Sequence, residues 1–259
     1  MLRTENISYK IGNRKILEDI NIEFHAGEFN MILGPNGSGK STFFRIFSGE
    51  IQGYTGRVCY NEKVLRKQQL RELARHRAVM SQQPDLSFPL TVDEVVMMGR
   101  YPHFDFNPSP KDNSICNDVI ERLRLTDFKE RNYLTLSGGE KQRVQYARVL
   151  AQIWERPKEG NRYLFLDEPL NNLDISYQQE FLRIAREFTG NDTIVIAVIH
   201  DINLALQYAD KLFFFKNGRL NAHGNTMEVL TADLIADVFN VSVTLINNAV
   251  TKRPLLVYN

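Results

Sequence analysis

Gly34-Pro35-Asn36-Gly37-Ser38-Gly39-Lys40-Ser41-Thr42 follows an apolar run from Glu28 to Leu33 and leads into a helix-like stretch, Ser41 to Phe47, that stops at Gly49. The spacing matches G-x-x-x-x-G-K-[ST], with the strand before and the helix after that a phosphate-wrapping loop requires. Glycines let successive backbone N–H groups converge on an anion, and a helix start adds partial positive charge. Gly34, Pro35, Asn36, Gly37, Ser38, Gly39, Lys40, Ser41 and Thr42 are therefore the candidate phosphate cradle. Within it Lys40 reaches β- and γ-phosphates, and the Ser41 hydroxyl ligates Mg²⁺. Chance produces this pattern in about one chain in a hundred of this length, so an ordinary glycine-rich turn is the weaker explanation.

A second signal stands far downstream, at Tyr163-Leu164-Phe165-Leu166-Asp167-Glu168-Pro169. An apolar run ending in two acids places both carboxylates at the carboxyl edge of a sheet, where α/β proteins bind ligands. Asp167 is the candidate Mg²⁺ holder and Glu168 the candidate general base that polarises an attacking water. The third signal is Leu136-Ser137-Gly138-Gly139-Glu140-Lys141-Gln142-Arg143. Ser137 with Glu140 fits a capping box, and Val144, Ala147, Ala151 and Trp154 continue it as an apolar stripe. A single chain thus carries two phosphate-seeking helix starts.

The rest of the chain supports an α/β plan. Thr193 to Ile199 is a continuous apolar run of the kind buried strands show. Phe213 to Phe215 is another, turned by Asn217-Gly218, a strong hairpin signal. The first 60 residues read as short strands with turns, and residues 66–77 as a basic helix. Ser114 to Leu125, Glu140 to Trp154 and Thr231 to Phe239 read as helices, and Val241 to Ile246 as extended. Prolines and aromatics gather between Pro84 and Pro110. The expected organisation is a core of about 1–84 and 156–259, interrupted by a helical insert of about 85–155.

Lys+Arg total 32 and Asp+Glu 31, a net charge of +1 that argues against bulk-charge attachment to nucleic acid or lipid. Cys59 and Cys116 match no metal or redox spacing. The start of the chain offers no secretory apolar region, and the longest apolar runs fall far short of the roughly 20 residues that cross a bilayer. A soluble, cytoplasmic protein is expected.

The three motifs, in this order, resemble those of the ATP-binding cassette family, and the resemblance covers nearly the whole chain. It implies a single cassette: a P-loop NTPase (RecA-like) core with an N-terminal antiparallel β subdomain and an inserted α-helical subdomain. It also implies a head-to-tail homodimer, in which the cradle of one copy and Ser137, Gly138 and Gly139 of the other sandwich one ATP with Mg²⁺. Gln82, with Gln83 one residue on, resembles the glutamine that touches Mg²⁺ and the water. Asn171-Asn172-Leu173-Asp174 resembles the loop that crosses the dimer interface, and His200 the switch histidine that contacts the γ-phosphate. Two departures stand out. Where relatives stack adenine on an aromatic ring this chain has Ile11, with Tyr9 two residues earlier, and Leu170 replaces the usual hydroxyl after Glu168-Pro169.

Phe88-Pro89-Leu90-Thr91-Val92-Asp93-Glu94-Val95-Val96, then Met98-Gly99-Arg100-Tyr101-Pro102, resembles the importers for iron chelates, haem and cobalamin. His200-Asp201-Ile202-Asn203-Leu204-Ala205 with Tyr208-Ala209-Asp210 fits the same group. The long link from Ala151 through Trp154 to Arg162 resembles the hemin-import ATPases, with siderophore or cobalamin import as the alternative and a non-transport cassette ATPase after that. The implied partners are a second copy, two transmembrane permease subunits, and a periplasmic or surface substrate-binding protein acting through them, with no nucleic acid. The implied location is peripheral, on the cytoplasmic side of the inner membrane. Because the resemblance places the cassette in the cytoplasm with substrate passing through the permease, His103 is not expected to ligate haem, and Tyr101 to Phe106 is expected to shape the surface that docks a permease helix.

Overall fold

Every residue of Phe29–Leu33, Arg162–Asp167 and Thr193–Val198 is buried, as strands covered on both faces must be. A computed structural model of the chain describes residues 1–66, 70–81, 86–171 and 173–259. In chain order the strands are β1 (Leu2–Ile11), β2 (Arg14–Phe24), β3 (Phe29–Leu33), β4 (Thr55–Tyr60), β5 (Lys63–Val64) and β6 (Arg77–Met80). They continue as β7 (Arg162–Asp167), β8 (Thr193–Val198), β9 (Lys211–Lys216), β10 (Arg219–Asn225), β11 (Val243–Asn247) and β12 (Pro254–Tyr258). The helices are α1 (Lys40–Phe47), α2 (Leu70–Leu73), α3 (Val92–Met97), α4 (Pro110–Arg122) and α5 (Gly138–Gln152). After them come α6 (Ile175–Phe188), α7 (Ile202–Tyr208), α8 (Thr226–Val229) and α9 (Ala232–Phe239).

The central sheet runs β10-β9-β3-β8-β7-β6. From β9 to β6 its strands are parallel, and β10 closes one edge as the antiparallel arm of a hairpin. Asn217 (φ 50) and Gly218 (φ 78) turn that hairpin in the left-handed region, as the Asn-Gly pair predicts. A second, antiparallel sheet, β2-β1-β4-β5, covers one face. Its two long leading strands run ten and eleven residues, longer than the short strands expected there.

One face of the central sheet meets that second sheet and α1 through an aromatic cluster. Phe43 and Phe47 lie with ring centroids 5.2 Å apart, and Phe47 meets Phe165 edge-on at 5.0 Å. The opposite face carries Phe29, Met31, Leu164 and Leu166 against helices that include α5, α6 and α7. Between β6 and β7 the chain forms α3, α4 and α5, each opened by a complete capping box: Thr91 with Glu94, Ser109 with Asp112, and Ser137 with Glu140. Buried Arg100 binds Asp112 and Glu155 and donates to Ala151 O, which ties the ends of these helices together. Gly99 is obligatory beside it, because a Cβ there would sit 2.1 Å from Arg148 O.

The basic stretch 66–77 departs from expectation. Residues 67–69 lie outside the described residues; among the described ones the helix is α2 alone, and Arg77 opens β6 by pairing with Tyr163. Sheet pairing there overrides local preference.

Candidate functional site

The parallel order β3-β8-β7 brings three loops to one edge of the sheet: the cradle after β3, Glu168 after β7 and His200 after β8. Ile199 N donates to Ile32 O at 3.2 Å and Glu168 N to Val198 O at 3.1 Å, so the ladder fixes their relative height.

Within the cradle the glycines answer to space as well as to torsion. Gly34 (φ 150) passes so close to β9 that a Cβ would lie 2.2 Å from Phe215 O. Gly39 (φ 100) is the left-handed residue from which α1 starts, and no side chain caps that start. Pro35, Asn36 and Gly37 are at least partly exposed, whereas Ser38 and Lys40 are buried. Ser41 and Thr42 are half-buried in the first turn of α1. Lys40 Nζ donates to Gly34 O at 2.7 Å and Pro35 O at 3.0 Å, folding the loop around its own ammonium. Burial pulls the Lys40 pKa below its ordinary value, while Glu168 and then Asp167 push it back up.

Asp167 ends β7 at 2% exposure, and its Oδ1 has no hydrogen-bond partner among the described residues. Burial first, then the neighbouring Glu168, pushes its carboxyl up to about 6. A buried carboxylate oxygen with no partner among the described residues, close enough to Lys40 to act on its charge, suits Mg²⁺, which prefers hard oxygen ligands. Glu168 adopts φ 49, a left-handed conformation uncommon outside glycine and concentrated at functional sites. Its Oε1 lies 2.7 Å from His200 Nε2, and its Oε2 accepts from Asn171 Nδ2 at 3.2 Å. The pairing of Glu168 with His200 carries no signal in the linear sequence.

Ser137 Oγ accepts from Glu140 N at 3.3 Å, and Glu140 Oε2 accepts from Ser137 N at 2.7 Å, which holds the Glu140 carboxyl below its usual range. Ser137, Gly138 and Gly139 line a separate open concavity of about 560 Å³ with Arg143, Asp174 and Tyr177; no cradle residue lines it. Asp174 caps α6, accepting from Tyr177 N at 2.9 Å, and the Arg143 guanidinium lies 4.3 Å from the Tyr177 ring. In one chain the structure therefore unites the cradle edge with Asp167, Glu168 and His200, and sets Ser137–Gly139 with Asp174 elsewhere. Gln82, Gln83 and Asn172 lie outside the described residues.

At the tip of the β1–β2 hairpin Ile11 is 60% exposed and Tyr9 is half-buried. Leu170 is buried, so the missing hydroxyl is replaced by packing. His103 is half-buried with Nε2 2.7 Å from Gln152 O. Among the described residues no group of His, Cys, Asp and Glu forms a metal cluster, and no helix is long and apolar enough to cross a membrane.

A family model described as ABC transporter matches residues 17–171. Across 257 residues, 99% of this chain and 94% of the relative, the sequence is 41% identical to the hemin import ATP-binding protein HmuV of Gloeobacter violaceus. It is 37% identical over 261 residues to the protein of the same name in Escherichia coli O157:H7, covering 99% of each. Among solved structures, the cassette MJ0796, a dimer in a post-hydrolysis state bound to ADP and Pi, superposes with a TM-score of 0.75. That match is 26% identical and covers 87% of this chain and 99% of the other. The cbiO1 subunit from Clostridium perfringens, part of an ABC transporter complex, gives a TM-score of 0.73 at 29% identity, covering 88% and 89%.

Proposed function

This chain belongs to the ABC transporter family and is one of its ATPases; we propose that it drives the import of hemin. The observation that carries the cargo is end-to-end similarity, 41% and 37% identity over 99% of the chain, to two relatives named for hemin import. The chain acts as a single cassette, with a core of about 1–84 and 156–259 and a helical subdomain of about 85–155. It sits on the cytoplasmic face of the membrane, against two permease subunits that receive cargo from a substrate-binding protein.

The chemistry follows from the site. Backbone N–H groups of Gly34–Thr42 and the Lys40 ammonium hold the β- and γ-phosphates. Mg²⁺, held by Ser41 and Asp167 with Gln82, would neutralise phosphate charge. Glu168 takes the proton of the attacking water, and His200, hydrogen-bonded to it, orients that carboxylate and contacts the γ-phosphate. The exposed Ser137, Gly138 and Asp174, with half-buried Gly139, complete the site of a second copy, which accounts for their separation from the cradle of their own chain. ATP joins the two copies, the helical subdomains move with them and push the permease, and hydrolysis reopens the dimer.

The test of cargo is growth. The gene is deleted in the source cell, and iron-limited growth is compared on hemin, on ferric siderophore and on cobalamin-dependent medium. Loss on hemin alone, restored by the wild type but not by Lys40→Ala, is the expected result. Loss on siderophore or cobalamin alone keeps the motor and overturns the cargo.

A further inference from the structure

The stretch that begins at His200 contains Asn203, a residue with no part in the chemistry above. Its side-chain amide pairs with β12 as a neighbouring strand would. Nδ2 donates to Leu256 O at 3.0 Å, and Oδ1 accepts from Leu256 N at 2.8 Å. Arg253, just before β12, donates from Nη1 to Leu206 O at 3.1 Å and Ala209 O at 2.9 Å. Carbonyls at the end of a helix have no partner within it, so Arg253 closes the end of α7. Leu256 is 3% exposed and shares the core with Ile202 and Leu206 of α7.

Neither partner is stable on its own terms. α7 has seven residues, below the roughly 12–15 at which an isolated helix becomes even marginal. The hairpin of β11 and β12 is a two-stranded sheet, also marginal alone. Each holds the other, and α7 begins two residues after His200, with Asp201 between them as its cap accepting from Leu204 N at 3.0 Å. His200 is thus suspended between β8 and α7, its side chain 44% exposed and its Nε2 2.7 Å from Glu168. Its backbone joins those two elements directly, so its position is inherited from them.

We propose that the C-terminal hairpin is a strap that positions His200, with Asn203 and Arg253 as the positioning residues through which it acts. The proposal rests on the reading of Glu168 and His200 as the hydrolytic pair. Loosening the strap lets α7 shift, and a displaced His200 no longer orients Glu168, while the phosphate cradle, whose helix α1 packs on the opposite face of the sheet from α7, keeps its shape. The signature is a fall in kcat without a matching rise in KM for ATP.

The test is a double-mutant cycle on the full-length protein, with melting temperature measured beside turnover. Asn203→Ala is expected to lower kcat by about 10-fold, within the scale on which a displacement of about 1 Å acts, and to leave KM within about twofold. In the His200→Ala background the same substitution is expected to change the residual turnover by less than about twofold, because residues acting as one unit are not additive. Arg253→Gln repeats the cycle if Asn203→Ala does not fold, and Arg253→Lys, which still presents a cation to the two carbonyls, is expected to restore most of the rate. Equal losses in both backgrounds, with His200→Ala itself impaired, would overturn the strap and leave the hydrolytic pair standing. A His200→Ala protein with normal turnover would remove the pair and the strap together.

Discussion

α1 and α5 both start on glycine-rich turns, yet they treat their first N–H groups in opposite ways. α1 starts from left-handed Gly39 with no side-chain cap and no acid in its first turn, and its leading residue is the buried cation Lys40. α5 starts from Ser137 with a complete capping box, and Glu140 places a carboxylate in the first turn. An anion reaching α1 meets open donors and an ammonium. One reaching α5 meets a start whose Ser137 and Glu140 N–H groups are already engaged, together with a negative charge, so the same helix-start physics gives a weaker site there. In the proposed cycle this orders events: nucleotide settles on the cradle of its own chain, and Ser137–Gly139 of the second copy follow only when the dimer closes.

The largest effect that tests this order comes from separating binding from chemistry. Glu168→Gln is expected to keep ATP binding on the α1 side while losing about 10²–10⁴ of hydrolysis, the usual contribution of a general base. Nucleotide-binding titration beside single-turnover hydrolysis checks it, and normal hydrolysis by the variant would remove Glu168 as the base.

Next in size is the cost of keeping Asp167 dry. Its folded carboxyl lies at about 6, above its ordinary 3.8. Between those values the folded chain holds a proton that the unfolded chain has released, so nucleotide-free stability falls as pH rises from about 4 to about 6, by on the order of 2–3 kcal/mol in total. Asp167→Asn carries no such charge. It is expected to melt above the wild type at pH 8, with the gap closing toward pH 4, and to lose hydrolysis at every pH. A wild type that gains on the variant as pH rises would contradict the assignment.

A smaller effect is expected at the capped end. Ser137→Ala removes a cap worth about 1 kcal/mol, and should leave ATP binding by a dilute single chain within about twofold of the wild type while lowering turnover. Turnover per copy of the wild type should rise with protein concentration, because each site needs two chains. Concentration-independent turnover in a proven monomer would break the comparison of the two helix starts at its root.

The two helix starts were legible for the same reason: each is set by residues only a few positions apart. Glycine spacing, Lys40 and the Ser137–Glu140 pair are local chemistry, and Asp167 and Glu168 were legible as the end of a run that only a strand buried on both faces would carry. What stayed hidden depends on distant partners. Arg77 enters β6 because it pairs with Tyr163. His200 meets Glu168 across two adjacent strands. Asn203 binds Leu256 from 53 positions away. No window of sequence contains both halves of such a contact, so periodicity and capping rules have nothing to act on.

The smallest effect lies beyond the cradle, where the base of a nucleotide held by α1 would extend. The backbone of β2 runs beneath the cradle: a Cβ on Gly39 would stand 2.7 Å from Leu17 Cδ2 and 3.1 Å from Ile16 O. The tip of that hairpin, Ile11 to Arg14, therefore projects past the loop, with Ile11 60% exposed. An exposed aliphatic side chain offers a base apolar contact without the ring-on-ring preference of an aromatic pair, worth about 0.5–1.5 kcal/mol beyond area burial. Ile11→Tyr is accordingly expected to tighten ATP by roughly 2- to 10-fold without changing kcat, and the wild type to use GTP with a KM within about 10-fold of that for ATP. If Ile11→Tyr leaves ATP affinity unchanged while Tyr9→Ala weakens it, the base rests on Tyr9. In that case the α1 end of the site is more enclosed than its phosphate cradle alone indicates, and the contrast with the exposed α5 end becomes sharper.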